Sequence, residues 1–317
     1  MTTNEQHDHP RKYILAGGSG FLGMNLARSL TSQGAQVVIL SRSAPGQSQS
    51  DASLRSVQWD GETLGPWVQE LNGADALVNF SGKSIECVPT DENKQLIISS
   101  RVNPTRVLGQ AIEQAEQPPS TWVQLSAVGI YGNTQSRCTE STPPGDGFLP
   151  ESCTQWESAF HESCPASVRG VVLRAGVVLG KTEGAFPKLR KIAKLGFGGR
   201  AGSGKQGISW IHEEDINAML LHAINTPSVQ GTYNATAPTP ASNKEFMAAL
   251  RKAVGMPFGP PAPAFAVRLG SRYVLRTNPD LALEGQYAIP ERMVSEGFEF
   301  QHPLLDDALS DLCTKSS

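Results

Sequence analysis

The glycines between Gly17 and Gly23 are the residues whose type and spacing most directly indicate chemistry. The stretch AGGSGFLG contains the spacing Gly-x-Gly-x-x-Gly, with one more glycine at Gly17. Glycines so spaced permit a tight turn, let the backbone approach a pyrophosphate, and let a helix pack closely against the preceding strand. Free N–H groups at the start of that helix can then bind the phosphates. The pattern therefore predicts a dinucleotide site.

The segments on either side of this turn agree with that prediction. Residues 13–16 form a short apolar run typical of a buried strand. Leu22, Leu26 and Leu30 follow at four-residue spacing, which indicates one face of a helix, and Gly34 stands where a helix C-terminal cap belongs. Strand, glycine turn and helix in this order are the context that a dinucleotide-binding fingerprint requires.

The residues after the second predicted strand indicate which dinucleotide is bound. The apolar run 36–40 leads into Ser41 and Arg42, and no Asp or Glu occurs between Gln36 and Ser50. An acidic residue at this strand end would hold the ribose hydroxyls of NAD, whereas serine and arginine suit the 2′-phosphate of NADP. A guanidinium forms charge-assisted, often bidentate, bonds with phosphate. We therefore expect NADP(H) as cofactor; the alternative is that Arg42 is an ordinary surface arginine.

Strand and helix patterns alternate along the first part of the chain. Apolar groups recur through 93–115, which predicts a helix with a kink or a new first turn at Pro104. A loop is predicted over 44–56. Further strands are predicted at 57–60, 75–80, 122–125 and 171–174. Because alternating strands and helices imply a parallel sheet with right-handed crossovers, we predict a Rossmann-type doubly wound α/β fold.

The last third of the chain differs in character and predicts a smaller C-terminal substrate domain. A basic glycine-rich loop spans 196–207, and Ser242 with Glu245 forms a capping box that predicts a helix over 243–254. The tail predicts a short terminal helix. The predicted organisation is a disordered leader (1–10), an NADP-binding Rossmann domain (11–180, with a returning segment at about 208–238) and a substrate domain (181–207 and 239–317).

Composition and charge exclude several classes of protein. The 317 residues carry a formal net charge of −3, and the pI of about 6.1 gives no electrostatic reason to expect nucleic acid or a membrane as partner. The five cysteines are scattered without a CxxC pair, so neither a disulfide framework nor a metal site is expected. Without a transmembrane run or a signal-peptide pattern, we expect a cytoplasmic monomer or homodimer.

Eight stretches between about residues 12 and 312 give the sequence a family resemblance. In order they are AGGSGFLG, LVNFSG, SSRVNPTRVL, SAVGIYG, VLRAGVVLG, GSGKQGISWIHEEDI, GTYNATAP and GFEFQHPLLDDAL. By these motifs the chain resembles the extended and atypical short-chain dehydrogenase/reductases of the NAD-dependent epimerase/dehydratase superfamily, and within them the YfcH-like epimerase family proteins. The resemblance implies an NADP-binding doubly wound sheet with a small C-terminal substrate domain.

The resemblance also assigns positions in the site. The phosphate turn and the 2′-phosphate contacts that it implies are Gly17, Gly20, Phe21, Leu22, Gly23, Ser41 and Arg42. The other cofactor contacts that it implies are Phe80, Ser81, Gly82, Arg101, Ser126 and Val178. Asn103 matches the asparagine that orders the active-site helix in relatives. Lys205, Trp210 and His212 match a segment that meets a sugar-nucleotide substrate, although for His212 a hydrogen-bonded structural role is favoured.

The sequence departs from the family at the catalytic residues. Active members use a Ser or Thr and then Tyr-x-x-x-Lys, with tyrosine as acid/base and lysine lowering its pKa. Here Ala127 takes the Ser/Thr position, one residue after Ser126, while Cys153 and Glu157 take the tyrosine and lysine positions. A carboxylate at the lysine position would raise the pKa of a neighbouring acid, and the unperturbed pKa of a cysteine thiol is ~8.5. The alternative is that Cys153 is a small buried hydrophobe on one helix face with Trp156.

Two functional hypotheses follow. The first is an NADP-dependent oxidoreductase or epimerase-like enzyme on an unidentified small substrate, for which a sugar nucleotide is one candidate class. Its candidate proton-relay side chains are Ser126, Tyr131, Cys153 and Glu157. The second is a non-catalytic module that binds NADP(H) and reports redox state to a partner. The retained substrate domain favours the first hypothesis, which we prefer, and the loss of the Tyr/Lys pair favours the second.

Overall fold

The main element of the fold is a sheet of seven parallel strands. The computed structural model describes residues 10–43 and 53–314, so the predicted leader, apart from its last residue, and most of the predicted loop 44–56 lie outside the described residues. In chain order the strands are β1 (Lys12–Ala16), β2 (Gln36–Ser41), β3 (Leu54–Gln58), β4 (Ala76–Asn79), β5 (Thr121–Ala127), β6 (Arg169–Ala175) and β7 (Gly231–Ala235).

The strand order across the sheet is β7-β6-β5-β4-β1-β2-β3. This order reverses between β1 and β4, and doubly wound sheets bind their ligands at the carboxyl ends of the strands near such a reversal. The register places Ser126 of β5 beside Arg174 of β6, and Arg174 beside Asn234 of β7. The predicted Rossmann-type fold is confirmed, and three polar residues are aligned along its carboxyl edge.

Helices cover both faces of the sheet. The α-helices of the described residues are α1 (Phe21–Ser32), α2 (Asp91–Gln114), α3 (Phe148–Ser163), α4 (Phe186–Ile192), α5 (Glu213–Asn225), α6 (Asn243–Ala253), α7 (Ala264–Leu269), α8 (Asp280–Leu283), α9 (Glu291–Ser295) and α10 (Leu305–Cys313). Alternate residues of β1 enter different cores. Leu15 packs with Leu26 of α1 and Met219 of α5, and Ile14 packs with Leu108 of α2.

A smaller C-terminal region has a core of its own. Phe186, Trp210, Phe246 and Leu309 are fully buried together, and they come from α4, a short strand (Trp210–His212), α6 and α10. The predicted capping box of α6 is present, because Ser242 accepts from the Glu245 backbone and Glu245 accepts from the Ser242 backbone. None of the described helices combines the length and apolarity needed to cross a membrane.

Of the two alternatives predicted at Pro104, a new first turn is wrong, because α2 runs through Pro104 without interruption, and the hydroxyl of Thr105 donates to the Arg101 carbonyl at 2.8 Å. The kink stays a prediction. The predicted bounds of the third strand are also wrong. The third strand covers Leu54–Gln58 rather than 57–60, because pairing with β2 starts at Leu54 opposite Val37. Asp60 instead caps a turn, accepting from the Glu62 and Thr63 backbones at 2.8 Å.

Candidate cofactor and active site

The glycine turn between β1 and α1 is packed closely on one side and open on the other. Gly17 has a φ of +66°, and a Cβ there would lie 2.9 Å from Ser81 Cα; a Cβ on Gly23 would lie 2.4 Å from Gly18. A Cβ on Gly20, by contrast, would have no atom within 4 Å. The turn therefore forms a cradle whose open side is at Gly20.

The N terminus of α1 presents free N–H groups to this cradle. Gly20 is the N-cap residue, so no side chain caps the helix, and the first turn contains no acidic residue. The N–H groups of a first helical turn have no partners within the helix, and they carry the positive end of the helix dipole. The first turn, which includes Phe21 and Leu22, is therefore suited to a phosphate group.

The end of β2 adds a cation beside the turn. Ser41 is buried, and its hydroxyl lies 3.5 Å from the Ser19 hydroxyl in the glycine turn. Arg42 is exposed, and its guanidinium makes no hydrogen bond or ion pair with any described residue. A free guanidinium next to a phosphate cradle has the chemistry expected for binding a 2′-phosphate.

Buried amides hold the end of β4 in place. The Asn79 side chain donates to Gln124 Oε1 at 3.0 Å and accepts from the Ser81 backbone at 3.0 Å. Ser81 is 8% exposed, yet its hydroxyl has no hydrogen-bond partner in the described protein. A buried polar atom without a partner is costly, so an unpaired hydroxyl beside Gly17 fits a site that receives a polar ligand. Phe80 packs against the core next to it.

Arg101 reaches this same edge from α2. Its Nη1 donates to the carbonyl oxygens of Lys83 at 3.0 Å and Ile97 at 2.9 Å. The guanidinium lies 5.0 Å from the ring of Trp156, and a Cβ on Gly82 would lie 3.1 Å from its Cζ. Gly82 thus lets the arginine cross the end of β4, and burial lowers its pKa.

The aligned residues on β5, β6 and β7 form one buried network with α3. Arg174 donates from Nε to Glu157 Oε1 at 2.9 Å and from Nη2 to Glu157 Oε2 at 2.7 Å. Ser126 donates to Glu157 Oε1 at 2.6 Å. Arg174 Nη1 also donates to the Tyr131 hydroxyl at 2.9 Å, and that hydroxyl donates to Asn234 Oδ1 at 2.7 Å. Burial opposes the charged form of Arg174, but the bonds to Glu157 outweigh it and raise its pKa.

This network decides what the candidate catalytic residues can do. Cys153 and Glu157 share the buried face of α3, as their spacing predicts. Burial and the neighbouring Glu157 carboxylate raise the pKa of Cys153 to about 12, so it is a neutral thiol. Burial also raises the pKa of Tyr131, whose hydroxyl is already bonded twice. Glu157 stands at the lysine position, but its charge is matched by Arg174 rather than directed at a phenol.

Arg174 and Asn234 are the functional-site residues that sequence reasoning missed. The run VVLRA was read only as a strand, yet an arginine within a strand buried on both faces requires a charged partner. That requirement was the available signal. Asn234 gave no comparable signal, because its role depends on β7 lying beside β6.

The substrate-side candidates divide into buried and exposed side chains. Trp210 is fully buried, and its Nε1 donates to the Thr239 carbonyl at 3.0 Å; Lys205 is exposed. His212 is buried and accepts at Nδ1 from the Glu214 backbone at 3.2 Å, which makes it the N-cap of α5. The structural role favoured for His212 is therefore the one observed. Val178 is partly buried against the main core, and Asn103 is partly buried on α2.

His212, Glu214 and His302 come close enough together to resemble a metal site, with their potential ligand atoms within 4.8 Å of one another. Because Nδ1 of His212 accepts a hydrogen bond, its neutral ring carries the proton on Nε2, which lies 3.4 Å from Asp311 Oδ2. A protonated nitrogen does not bind a metal ion. His302 Nε2 instead lies 3.0 Å from Glu214 Oε2, whereas His212 Nε2 makes no hydrogen bond with the described residues.

A cavity of about 570 Å³ lies beside Tyr131, between the segment 133–148 and α8. Its lining includes Asp146, Asp280 and Glu284, and none of the described residues that line it is a Lys or Arg. Diphosphates are usually held by Arg or Lys. The cavity therefore lacks the charge that a sugar nucleotide would require.

The comparisons with known proteins agree with this geometry. Residues 13–236 match the NAD dependent epimerase/dehydratase family, and residues 262–312 match a domain of unknown function. The epimerase family protein YfhF of Bacillus subtilis is 37% identical over 302 residues, covering 94% of this chain and 96% of the relative. The human epimerase family protein SDR39U1 is 34% identical over 308 residues, covering 95% and 99%.

Solved structures extend the similarity to three dimensions. The crystal structure of human SDR39U1 with NADPH superposes with a TM-score of 0.84 at 32% identity, covering 95% of this chain and 99% of that chain. A nucleoside-diphosphate sugar epimerase from Corynebacterium glutamicum gives 0.76 at 28% identity, covering 96% of this chain and 58% of that chain. The resemblance inferred from the motifs is confirmed, and the chain belongs to the NAD-dependent epimerase/dehydratase family.

Proposed function

We propose that the protein binds NADP(H) at the carboxyl edge of its sheet. The observation that carries this proposal is the Arg42 guanidinium at the end of β2, which has no partner within residues 10–43 and 53–314 and follows Ser41 beside a glycine turn that opens at Gly20. The first turn of α1 would hold the pyrophosphate, Ser41 and Arg42 the 2′-phosphate, and the unpaired Ser81 hydroxyl a polar group of the cofactor. That human SDR39U1 was crystallised with NADPH supports the same choice.

Calorimetric titration with NADPH, NADP, NADH and NAD tests this proposal. We expect binding of the two phosphorylated cofactors and binding at least tenfold weaker for the other two. Equal affinity for all four would contradict the role of Arg42. Absence of binding would leave the glycine turn a purely structural element.

We further propose that the bound cofactor serves an oxidoreductase or epimerase-like reaction on a small substrate. NADP(H) supplies hydride transfer when bound. We assign the proton transfer to Ser126, a buried residue at the end of β5. The Ser126 hydroxyl donates its hydrogen to Glu157 at 2.6 Å. The Ser126 oxygen can therefore accept a hydrogen bond from a substrate hydroxyl. When a substrate hydroxyl is oxidised, its hydride passes to NADP, its proton passes to Ser126, and the serine proton passes to the Glu157 carboxylate. In the reverse direction, the reduction of a carbonyl, solvent first protonates Glu157, and the proton reaches the substrate oxygen along the same route.

The Ser126→Ala variant separates this proton relay from a structural role. The variant removes one hydroxyl and keeps both bonds between Arg174 and Glu157. We expect unchanged NADPH affinity and a hydride-transfer rate lowered roughly 10²–10⁴-fold in single-turnover measurements with a panel of carbonyl compounds, as is typical for loss of a general acid/base. A rate within threefold of wild type would reject Ser126 as the relay.

One observation favours the second candidate function, a non-catalytic NADP(H) sensor. All four candidate relay residues, Ser126, Tyr131, Cys153 and Glu157, are buried, and the polar atoms of Ser126, Tyr131 and Glu157 bond to other protein groups. A sensor predicts tight NADPH binding, no turnover across the carbonyl panel, and a difference between the NADP- and NADPH-bound forms in hydrogen exchange.

A further inference from the structure

Arg101 has one bonded edge and one open edge. Nη1 donates both of its hydrogens, to Lys83 and Ile97. Nε and Nη2 form the side-on edge of the guanidinium, and neither makes a hydrogen bond within residues 10–43 and 53–314. Two parallel N–H groups on such an edge match the two oxygens of a carboxylate.

Arg174 shows what this edge does elsewhere in the same protein. Its Nε and Nη2 hold the two oxygens of Glu157 at 2.9 and 2.7 Å. Arg101 has no such carboxylate partner among the described residues, and burial lowers its pKa, with Cys153 alone acting in the other direction. A partly buried guanidinium without a counter-charge is costly, so its position indicates an anionic ligand.

The surroundings of Arg101 fix its guanidinium in place beside α3 and the end of β4. The guanidinium is held by the Lys83 and Ile97 carbonyls and lies against Gly82 and the Trp156 ring. Trp156 and Cys153 belong to α3, the helix that also carries Glu157 and reaches Ser126. The glycine turn is instead contacted by Ser81. Arg101 thus lies between α3 and the end of β4, where Gly82 touches Arg101 and the neighbouring Ser81 touches the glycine turn.

We propose that Arg101 is the receptor for a carboxylate of the substrate, bound side-on through Nε and Nη2. This proposal rests on the proposed function and narrows it to a substrate class: small molecules that carry a carboxylate. Under this proposal Arg101 contacts the substrate, whereas the sequence predicted that it contacts the cofactor. The competing source of the anion is a phosphate of the cofactor, and the experiment separates the two.

The test uses matched acid and amide probes on the full-length protein saturated with NADP. Acetate and benzoate are compared with acetamide and benzamide at constant ionic strength, by saturation-transfer NMR. We expect the acids to bind at least tenfold more tightly than the amides. Arg101→Met should abolish this preference while changing NADPH affinity less than threefold. Arg101→Lys keeps the charge but lacks the two-pronged edge, and it should retain only part of the preference.

Arg106→Met is the control, because Arg106 lies on the same helix, is exposed, and has only a 3.9 Å ion pair with Glu162. It should keep the preference unchanged. Equal binding of acids and amides by the wild-type protein would overturn the proposal, as would a loss of NADPH affinity above tenfold in Arg101→Met with the preference intact. If the wild type fails to bind NADPH, the proposed function fails, and the probes on the cofactor-free protein still test Arg101.

Discussion

Three arginines at the carboxyl edge of the sheet differ in how their charge is matched. Arg174 is buried and bonded to both oxygens of Glu157. The Arg101 guanidinium is partly buried and bonds only to carbonyl oxygens, whereas the Arg42 guanidinium is exposed and bonds to no described residue. Because the Glu157 carboxylate matches its charge, Arg174 holds the buried network together, and we propose that the two others bind ligands.

Replacing Arg42 by alanine should weaken NADPH binding without a comparable effect on NADH. A hydrogen bond to a charged group contributes about 1.5–3 kcal/mol, which corresponds to roughly 10–100-fold in affinity. Calorimetry on the variant and on Arg28→Ala checks this, because Arg28 is an exposed arginine of α1 bonded only to Asn25. Equal losses for NADPH and NADH would reject the 2′-phosphate contact.

Cys153 should resist alkylation in the folded protein. With a pKa of about 12, only roughly one thiol in ten thousand is a thiolate at pH 8, and the thiolate is the reactive form. Iodoacetamide at pH 8 followed by mass spectrometry should label the partly exposed Cys87 first and Cys153 only after unfolding. Rapid labelling of native Cys153 would show that the thiol is accessible and available as a redox or acid/base group.

At the scale of elements, two glycines of the strand–turn–helix unit have different roles. One is required for folding, and the other leaves space for a ligand. Gly23 is in contact with the backbone of Gly18, so it is required for α1 to approach the turn. Gly20 has an extended conformation with a φ of −87°, which any residue adopts, and open space where its Cβ would be. The two positions therefore serve different purposes within one motif.

Alanine at these two positions should give opposite results. Gly20→Ala should fold with a melting temperature close to wild type and lose NADPH affinity, because the added methyl group occupies the phosphate cradle. Gly23→Ala should be destabilised, since its Cβ would lie 2.4 Å from Gly18. Thermal melts with and without NADPH measure both effects. Full NADPH affinity in Gly20→Ala would mean that the phosphates do not enter at this turn.

At the scale of the whole molecule, the Glu157 network joins parts of the chain that are far apart in sequence. Glu157 of α3 connects Ser126 of β5 with Arg174 of β6, and Tyr131 extends the network to Asn234 of β7. Asn234 in turn donates to the Ile289 carbonyl at 2.9 Å, near α9. The network therefore ties the sheet edge to the C-terminal region.

A double-mutant cycle should show that this ion pair is coupled. Removing one member of a buried pair leaves an uncompensated charge and costs about 3–5 kcal/mol, so Glu157→Met and Arg174→Met should each lower the free energy of unfolding by roughly that amount. The double variant should lose less than the sum. The exposed pair Arg106–Glu162, at 3.9 Å, provides the control cycle, with coupling of about 1 kcal/mol or less. Additive losses at Glu157 and Arg174 would contradict a direct pair.

What the sequence determined by itself is local. The glycine turn, the α1 stripe of Leu26 and Leu30, and the α6 capping box depend on neighbours within a few residues, so their patterns predict them directly. The sharing of one buried helix face by Cys153 and Glu157 follows equally from their spacing of four. The alternation of strands and helices is also read from local patterns, and it predicts the fold class.

What only the tertiary structure decided is which charges meet. Glu157 and Arg174 are 17 residues apart, and Tyr131 and Asn234 are 103 apart, so no local pattern pairs them. The parallel register brings their strand ends together, and the low polarity of the interior then makes pairing obligatory. The sequence showed that the tyrosine–lysine pair is missing, whereas the packing showed that an arginine matches the glutamate and that Nε and Nη2 of Arg101 make no hydrogen bond with the described residues.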